Sequence, residues 1–489
     1  MIYNFFFIKF EIFLLFLICY IALLYLCTKF FKLKLNALDF IFISMFFLML
    51  LLRCALDDLG GSHTIYLFNN FIIYNDFIKL LKICMTLFFF VYLIIVYNFN
   101  NVTKTPIIEY LILIFLCFFS LNMIIISNHL FVIFLFLEIV NICLYCLIGL
   151  NKNSNKGIEA AYKYFIQSSF ATIIGFFAIS LIYALTGTLF LNELFILFND
   201  INLNIIIKFS LLALISTILF KLGLFPLHSW IPDVYQGSYL VVMLFIATLP
   251  KFTYISLFLK VFLLIPNFIF YNYCLYIALF SILYGSIIAL YQINFKRLLA
   301  YGSMVHMGFI LYSLSLCTPN GIAAAVFYLI IYIILIIFVF SFMFFLLEEN
   351  DGNFFFIDDI SRLYYLLNKN KLLSLFFAYI ILSLAGLPFF IGFISKWYIF
   401  VGLLIKNQFI DLIILIGVSV LSSAYYIRLI RFLFFIENKD KKVKFHTIAE
   451  LSKSFYFLII FLFILNILII FYHNWIYLYI LKCVLSLFS

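Results

Sequence analysis

The stretch that decides the fold is Lys221-Leu-Gly-Leu-Phe-Pro-Leu-His228-Ser-Trp-Ile-Pro-Asp-Val-Tyr235, which closes an apolar segment of residues 203–235. A helix of about 20 residues crosses a bilayer, so this segment is too long for one straight span. Its internal glycine and proline favour a break, because proline removes a backbone donor and clashes with the preceding turn. Gly386-Leu-Pro388 interrupts residues 371–403 in the same way. We therefore predict two discontinuous helices.

The composition around these two segments is that of a membrane protein. Of the 489 residues, 68% are hydrophobic and only 10% are charged, and the mean hydropathy is +1.26. Soluble domains carry about 25% charged residues. A bilayer must therefore be the solvent for this chain. The net charge of +10 is interpreted as a topology signal in the loops, not as a nucleic-acid-binding surface.

Apolar runs between polar breaks predict an all-α polytopic fold with fourteen spans. Two successive groups of five spans, each with its broken helix in fourth place, predict two inverted repeats at residues 105–265 and 266–435. A three-helix extension, residues 1–104, precedes them, and a loop with a final span, residues 436–489, follows. The predicted spans are 3–30, 37–56, 77–98, 106–126, 129–150, 160–186, 203–235, 238–264, 268–290, 297–316, 321–347, 371–403, 409–434 and 455–480.

Basic residues concentrate in every second loop, which predicts the orientation. Loops with Lys296 and Arg297, or with the cluster Lys439 to Lys444, should face the matrix or cytoplasm, and both termini the opposite side. The acidic stretch from Glu348 to Asp359 is interpreted as a solvated loop or a contact with a neighbouring subunit.

Four charged residues lie deep in their predicted spans: Glu138, Lys221, Lys251 and Lys396. Each charge at mid-bilayer costs about 2.5–3.5 kcal/mol on insertion scales, which indicates a function. An amine in a low dielectric can gain and lose a proton near neutral pH, so we interpret the set as a proton relay in which Glu138 and Lys221 form a switching pair. The alternatives are buried ion pairs and misplaced span ends.

Three further residues are secondary candidates for this relay. His228 follows the first break and His306 lies in the middle of a span, where imidazole suits proton transfer, although a lone histidine is often a packing residue. Lys163 lies four residues after Glu159, a spacing that supports a helical ion pair on the surface. Other charges at span ends, among them Glu11, Lys260 and Arg428, are interpreted as snorkelling side chains.

The sequence contains no dinucleotide-binding or phosphate-binding glycine motif and no cluster of metal ligands. The ten cysteines are interpreted as small apolar residues, not as ligands of zinc or of an iron–sulfur cluster. We therefore expect no cofactor on this chain.

Three motifs resemble those of the antiporter-like membrane subunits of the proton-pumping NADH:ubiquinone oxidoreductase, respiratory complex I. Residues Lys221 to Tyr235 resemble the signature of span 7 in that family, Asn294 to Gly308 the start of span 10, and Leu384 to Lys396 the break of span 12. The similarity covers roughly residues 105–435 in order. Asp233-Val-Tyr235, Pro250-Lys251 and the lysine at 396 are similar to the subunit 2 group of the family. The sequence from Ser238 onward departs from the proline-rich stretch usual there.

The resemblance implies a proton-translocating membrane-arm subunit without a redox site of its own. Glu138 and Lys221 would be the input pair, Lys251 the central lysine and Lys396 the output lysine, with Lys163 and His306 on the same axis. Flavin, iron–sulfur clusters and ubiquinone would belong to partner subunits. The partners would be other membrane-arm subunits, namely a neighbouring antiporter-like subunit and the small subunits near the quinone, together with membrane lipids. The alternatives are a subunit of a multisubunit cation/proton antiporter and a structural subunit with an inactive channel.

The residue bias suggests a compartment. The 70 Phe and 34 Tyr, with abundant Ile, Asn and Lys, are typical of a strongly AT-rich coding genome. No cleavable presequence is recognised, because the first apolar run is too long for a signal peptide. We expect the mitochondrial inner membrane and synthesis inside the organelle, with a bacterial inner membrane as the alternative.

Overall fold

The computed structural model describes residues 11, 14–15, 17–18, 64–100, 107–151, 154–200, 205–264, 268–343, 347–350, 353–356, 359–363, 371–435 and 453–487. These residues form fifteen α-helices, two β-hairpins and a 3-10 turn. In chain order they are β1 Ile65–Leu67, β2 Ile72–Tyr74, α1 Asp76–Asn100, α2 Ile107–Ile126, α3 Leu130–Gly149, α4 Asn155–Thr186, α5 Leu191–Asp200, α6 Ile205–Leu222, α7 Trp230–Gly237, α8 Leu240–Leu263, α9 Phe268–Tyr291, α10 Phe295–Ser315, α11 Pro319–Met343, β3 Leu347–Asn350, β4 Asn353–Phe356, the turn Ile360–Leu363, α12 Lys371–Ala385, α13 Ile391–Ile405, α14 Phe409–Phe434 and α15 Lys453–Leu485.

The polytopic helical fold is confirmed. Within the described ranges, eleven helices are long and apolar enough to cross a membrane, and α12 and α13 are shorter apolar helices. From 77–98 onward, each of the twelve predicted spans corresponds to one helix or one broken helix. The predicted spans 3–30 and 37–56 lie, apart from a few residues, outside the described part of the chain.

The structure contains three small elements that were not predicted, namely helix α5 and two β-hairpins. Helix α5 is short and contains polar residues, so it does not form an apolar run of the length of a span. Strands β1 and β2 pair antiparallel, as do β3 and β4. Ile72 of β2 bridges to Ser127, and His129 bridges to Phe190, so these connections meet at one end of the helices.

Both predicted breaks are present and are built in the same way. Helix α6 ends before Gly223 and α12 ends before Gly386, which have φ angles of 70° and 77°. Each glycine N–H donates to the carbonyl three residues earlier, at 2.9 and 3.0 Å, and the next N–H donates to the carbonyl five residues earlier, at 3.1 and 3.4 Å. This is the Schellman pattern, in which a left-handed glycine ends a helix. Glycine therefore ends the first half, and the prolines at 226 and 388 lie beyond it.

The two groups of five spans pack in the same pattern. The first helix lies on the second, α2 on α3 and α9 on α10, and the third contacts both halves of the broken helix. The division into inverted repeats at residues 105–265 and 266–435, with the flanking segments, stays a prediction.

The connections on each side of the helices contact one another. The Asn151 side chain donates to the carbonyl of Gly237 at 2.8 Å, and Asn294 bridges to Asp359. These four residues lie in the connections that were predicted on the side of the basic loops. Residues 72, 127–129 and 190, which also contact one another, lie in connections that were predicted on the opposite side. Which side faces the matrix or cytoplasm stays a prediction.

Candidate functional site

Three of the predicted lysines are buried inside the helical core. Lys221, Lys251 and Lys396 are 3%, 1% and 3% exposed, respectively. Lys221 lies in the last turn of α6, Lys251 midway along α8 and Lys396 in the second turn of α13. Among the residues that the structure describes, no carboxylate oxygen lies within 4.0 Å of any of these amines. The ion-pair and span-end alternatives therefore do not describe them.

Lys221 is joined to Glu138 through a buried amide. Its amine donates to Oδ1 of Asn141, and Nδ2 of Asn141 donates to Oε2 of Glu138 at 3.2 Å. Asn141 lies three residues after Glu138 on α3, so both side chains share one face of the helix. The predicted pair is therefore an indirect one. Sequence reasoning missed this role of Asn141, for which the only signal was its spacing from Glu138.

Lys251 lies among tyrosine rings. Its Nζ is 5.7 Å from the ring centre of Tyr235 and 5.9 Å from that of Tyr332. Within the described residues, the amine of Lys251 has no hydrogen-bond partner. The electron-rich ring faces attract an ammonium group, which offsets part of the cost of burying it. Nothing else in these contacts holds the proton on the amine.

Lys396 binds the end of its own broken helix. Its Nζ donates to the carbonyl of Ala385 at 2.9 Å and lies 3.5 Å from Oγ of Ser422 on α14. Ala385 is the last residue of α12, where the helix dipole gives the carbonyls partial negative charge. Gly386 leaves the space for this contact, because a Cβ there would lie 2.7 Å from the amine. The break therefore positions the lysine.

His306 lies near both Lys251 and Lys396, because the charges of both lysines act on its ring. The ring is buried, with Nδ1 at 2.8 Å from the hydroxyl of Tyr328 and Nε2 at 2.9 Å from that of Tyr426. The structure thus brings together Lys251, His306 and Lys396 in one buried region formed by α8, α10, α11, α13 and α14.

Lys163 lies outside this buried region. Its side chain is 39% exposed and pairs with Glu159 at 2.6 Å and with Asp233 at 2.8 Å. Asp233 also accepts from Arg297 at 3.0 Å, so the network ties α4 to α7 and α10. The surface ion pair of the sequence analysis fits this arrangement better than a place in a buried relay. Exposed pairs of this kind contribute about 0–1 kcal/mol.

His228 is also apart from the lysines. It lies in the break between α6 and α7, half-buried, with its ring centre 4.7 Å from that of Tyr284 and 5.9 Å from that of Phe225. Its Nδ1 has no hydrogen-bond partner in the described part of the chain. A third ring contact is with Tyr301, at 6.4 Å. The role of His228 as a relay link stays a prediction.

A family model described as NADH:quinone oxidoreductase/Mrp antiporter, TM, matches residues 127–422, more than half of the chain. The chain belongs to this family. It is 31% identical over 351 residues to the NADH-quinone oxidoreductase subunit N of Ruthia magnifica subsp. Calyptogena magnifica, which covers 70% of this chain and 72% of that protein. The range matched by the family model, residues 127–422, contains Glu138, Lys221, Lys251, His306 and Lys396.

Two solved structures of antiporter-like proteins have the same fold. A chain of respiratory complex I from Thermus thermophilus with bound aureothin superimposes with a TM-score of 0.78 at 22% identity, covering 96% of this chain and 98% of that one. A chain of the Mrp complex from Dietzia sp. DQ12-45-1b gives 0.80 at 16% identity, covering 98% and 96%. The fold is thus common to a chain of a respiratory complex I and a chain of an Mrp complex, and does not separate the two.

In this antiporter-like chain, Lys260 and Arg428, which were expected to snorkel, instead bind helix ends, and so does Lys406. Lys260 donates to the carbonyls of Ile124, Ile125 and Ser127 at the end of α2. Lys406 binds the carbonyl of Leu316 at the end of α10, and Arg428 that of Leu290 near the end of α9. Cations at helix C-termini are stabilised by the helix dipole.

Glu11 is a second correction to the snorkelling interpretation. It is buried, pairs with Lys82 of α1 and accepts a hydrogen bond from the hydroxyl of Tyr74 at 2.9 Å. Buried pairs of this kind fix the relative position of two elements more than they add stability. This one holds the N-terminal helical residues against α1.

An apolar cavity of about 530 Å³ opens at the first break, between α4, α6 and α9. Thr217 lines this cavity and also a small space beside Lys221 that Tyr254 of α8 closes.

Two of the cysteines have a spacing that is common among metal ligands, although the sequence analysis treated all ten as apolar residues. Cys143-Leu-Tyr-Cys146 is a C-x-x-C sequence on α3, with Cys143 buried and Cys146 exposed. In the described ranges no group of three metal-ligating side chains surrounds it or any other site.

Proposed function

We propose that this chain is a proton-translocating membrane-arm subunit of an NADH:quinone oxidoreductase. The observation that carries the proposal is the set of three fully buried lysines without a carboxylate partner in the described residues. A permanently charged amine in such a position is costly, whereas an amine that exchanges a proton can be neutral for part of a cycle. Paired broken helices are also where transporters of inverted repeats bind their ions.

The contacts give the relay an order. Glu138 and Asn141 hold Lys221 at the first break, Lys251 is the central amine, and Lys396 at the second break is the output. His306 joins the last two. The driving event would be quinone reduction in other subunits, where flavin, iron–sulfur clusters and ubiquinone would bind.

The relatives favour the oxidoreductase over its alternatives. The proteins that match most of this chain at about 30% identity are named NADH-quinone oxidoreductase subunit N, and this supports assignment to the subunit 2 group and assembly with other membrane-arm subunits. The presence of all four relay residues argues against an inactive channel. Copurification with flavin-containing and iron–sulfur subunits would support the oxidoreductase, and copurification with antiporter subunits alone would reject it.

The membrane that contains this chain is a separate question from its function. The AT-rich residue bias was the reason to expect a mitochondrial inner membrane, but these relatives come from bacteria, which supports the bacterial inner membrane instead. Locating the gene on a bacterial chromosome or in an organelle genome decides between them.

The test of the relay compares two lysines that both bind a helix end. Lys396 binds the last carbonyl of α12, and Lys406, on the surface, binds the end of α10. In the assembled complex in proteoliposomes, Lys396→Met should lower the protons transported per NADH oxidised, and Lys406→Met should not. Equal transport by both variants and the unmodified complex rejects the relay, since capping is the role that the two lysines share.

A further inference from the structure

His306 is held by two tyrosines from two different helices. Tyr328 of α11 lies 2.8 Å from Nδ1, and Tyr426 of α14 lies 2.9 Å from Nε2. A neutral imidazole has one N–H donor and one acceptor nitrogen, so it donates to one hydroxyl group and accepts from the other. Exchange between the two tautomers reverses the direction of both hydrogen bonds.

Each tyrosine is one helical turn from a residue that contacts a buried lysine. Tyr332 follows Tyr328 by four residues on α11, and its ring centre is 5.9 Å from the Lys251 amine. Ser422 precedes Tyr426 by four residues on α14, and its hydroxyl is 3.5 Å from the Lys396 amine. Residues four apart share one face of a helix. One end of the tyrosine–histidine–tyrosine group therefore lies one turn from the surroundings of Lys251, and the other end lies one turn from those of Lys396.

The helix that carries the histidine is shaped to admit the second tyrosine. Gly302 lies one turn before His306 on α10, and a Cβ at that position would lie 3.1 Å from the hydroxyl of Tyr426. The absence of a side chain thus lets the hydroxyl lie close to the backbone of α10. The ring of Tyr332 packs 5.1 Å from the imidazole on the other side.

We propose that Tyr328, His306 and Tyr426 form a proton bridge between Lys251 and Lys396. The inference rests on the proposed function and adds the two tyrosines to it. As Tyr328 gives its hydroxyl proton to Nδ1, it takes one from the side of Lys251. The Nε2 proton passes to Tyr426, which releases its own toward Lys396. One proton enters and one leaves without any electron transfer, and reorientation of the ring and hydroxyl groups restores the starting state.

The test removes the bridge without removing the rings. Tyr328→Phe and Tyr426→Phe each delete one oxygen, and His306→Gln keeps a donor and an acceptor but cannot exchange tautomers as imidazole does. Tyr379→Phe is the matched control, because the hydroxyl of Tyr379 on α12 is buried without a hydrogen-bond partner in the described residues, and its ring packs against Phe390 and Phe463, away from His306. Assembled complexes in proteoliposomes are compared by the protons transported per NADH oxidised, with Lys396→Met as reference.

The three bridge variants should fall to the level of Lys396→Met, and Tyr379→Phe should match the unmodified complex. If Lys396→Met fails to transport while the bridge variants transport normally, the bridge is rejected and the lysine relay stands. If Lys396→Met itself transports normally, the proposed function is rejected. Should the phenylalanine variants fail to assemble, His306→Gln decides, because it can retain both hydrogen bonds; full transport by that variant overturns the bridge.

Discussion

At the scale of single residues, the contact of Lys221 with Asn141 would leave a buried amine able to lose its proton, as the proposed relay requires. Two unit charges 4 Å apart attract by about 4 kcal/mol at an effective dielectric of 20, which would hold an ion pair permanently charged. Here the amine meets the oxygen of Asn141, and the carboxylate of Glu138 lies behind that amide. The amide keeps the two groups in register while weakening their direct attraction.

Replacement of this amide tests the coupling. Asn141→Leu keeps the branching at Cγ but leaves the amine of Lys221 and the carboxylate of Glu138 without this partner. A buried polar group without its partner costs about 1–3 kcal/mol, so the thermal stability of the assembled complex should fall. The protons transported per NADH should fall as well, because Glu138 no longer positions Lys221.

The control for this variant is Asn122→Leu. Asn122 of α2 is equally buried, and its amide donates to a backbone carbonyl, that of Phe118, at 2.9 Å. It should lower stability without lowering the protons per NADH. A drop in transport of the same size in both variants would show that lost stability alone accounts for the effect of Asn141→Leu.

At the scale of helices, the two breaks could be predicted from the sequence, but the contacts made across them could not. The Gly-Leu-Phe-Pro and Gly-Leu-Pro stretches predict where each helix stops, because local backbone chemistry decides that. They do not reveal that Lys396 binds the end of α12, since this contact depends on how the two halves meet. Asn141 and the tyrosines around His306 were missed for the same reason: uncharged polar residues give no signal until helices are packed.

Gly386 both ends helix α12 and makes room for the amine of Lys396, so substitution of this residue tests the two effects together. Its φ of 77° strains any residue with a side chain by about 1–2 kcal/mol, and a Cβ would lie 2.7 Å from the Lys396 amine. Gly386→Ala should therefore lower both the thermal stability and the protons per NADH of the assembled complex. Gly187→Ala has the same strain, at a φ of 74°, but its Cβ would meet nothing within 4 Å. It should lower stability alone; if it lowers transport equally, displacement of Lys396 is not the cause.

At the scale of the whole molecule, fold and function separate. The antiporter fold is shared with complexes of different activity, so the fold does not identify the reaction. The buried lysines and the proposed bridge at His306 are the features that would distinguish an active channel from a scaffold with the same helices. Orientation in the membrane also belongs to this scale, because it depends on the summed distribution of loop cations and not on any one contact.

The orientation predicts opposite accessibility for two exposed residues. Ser361 lies beside Asp359, on the side of Asn294 and the basic loops, whereas Glu193 lies on α5, next to the end where His129 meets Phe190. A membrane-impermeant thiol reagent should label Ser361→Cys from the matrix or cytoplasmic side and Glu193→Cys from the opposite side. The unmodified chain, with its native cysteines, supplies the background. Labelling of both from one side would contradict the crossing pattern of the helices, and labelling with the sides exchanged would leave that pattern intact but overturn the orientation drawn from the cations.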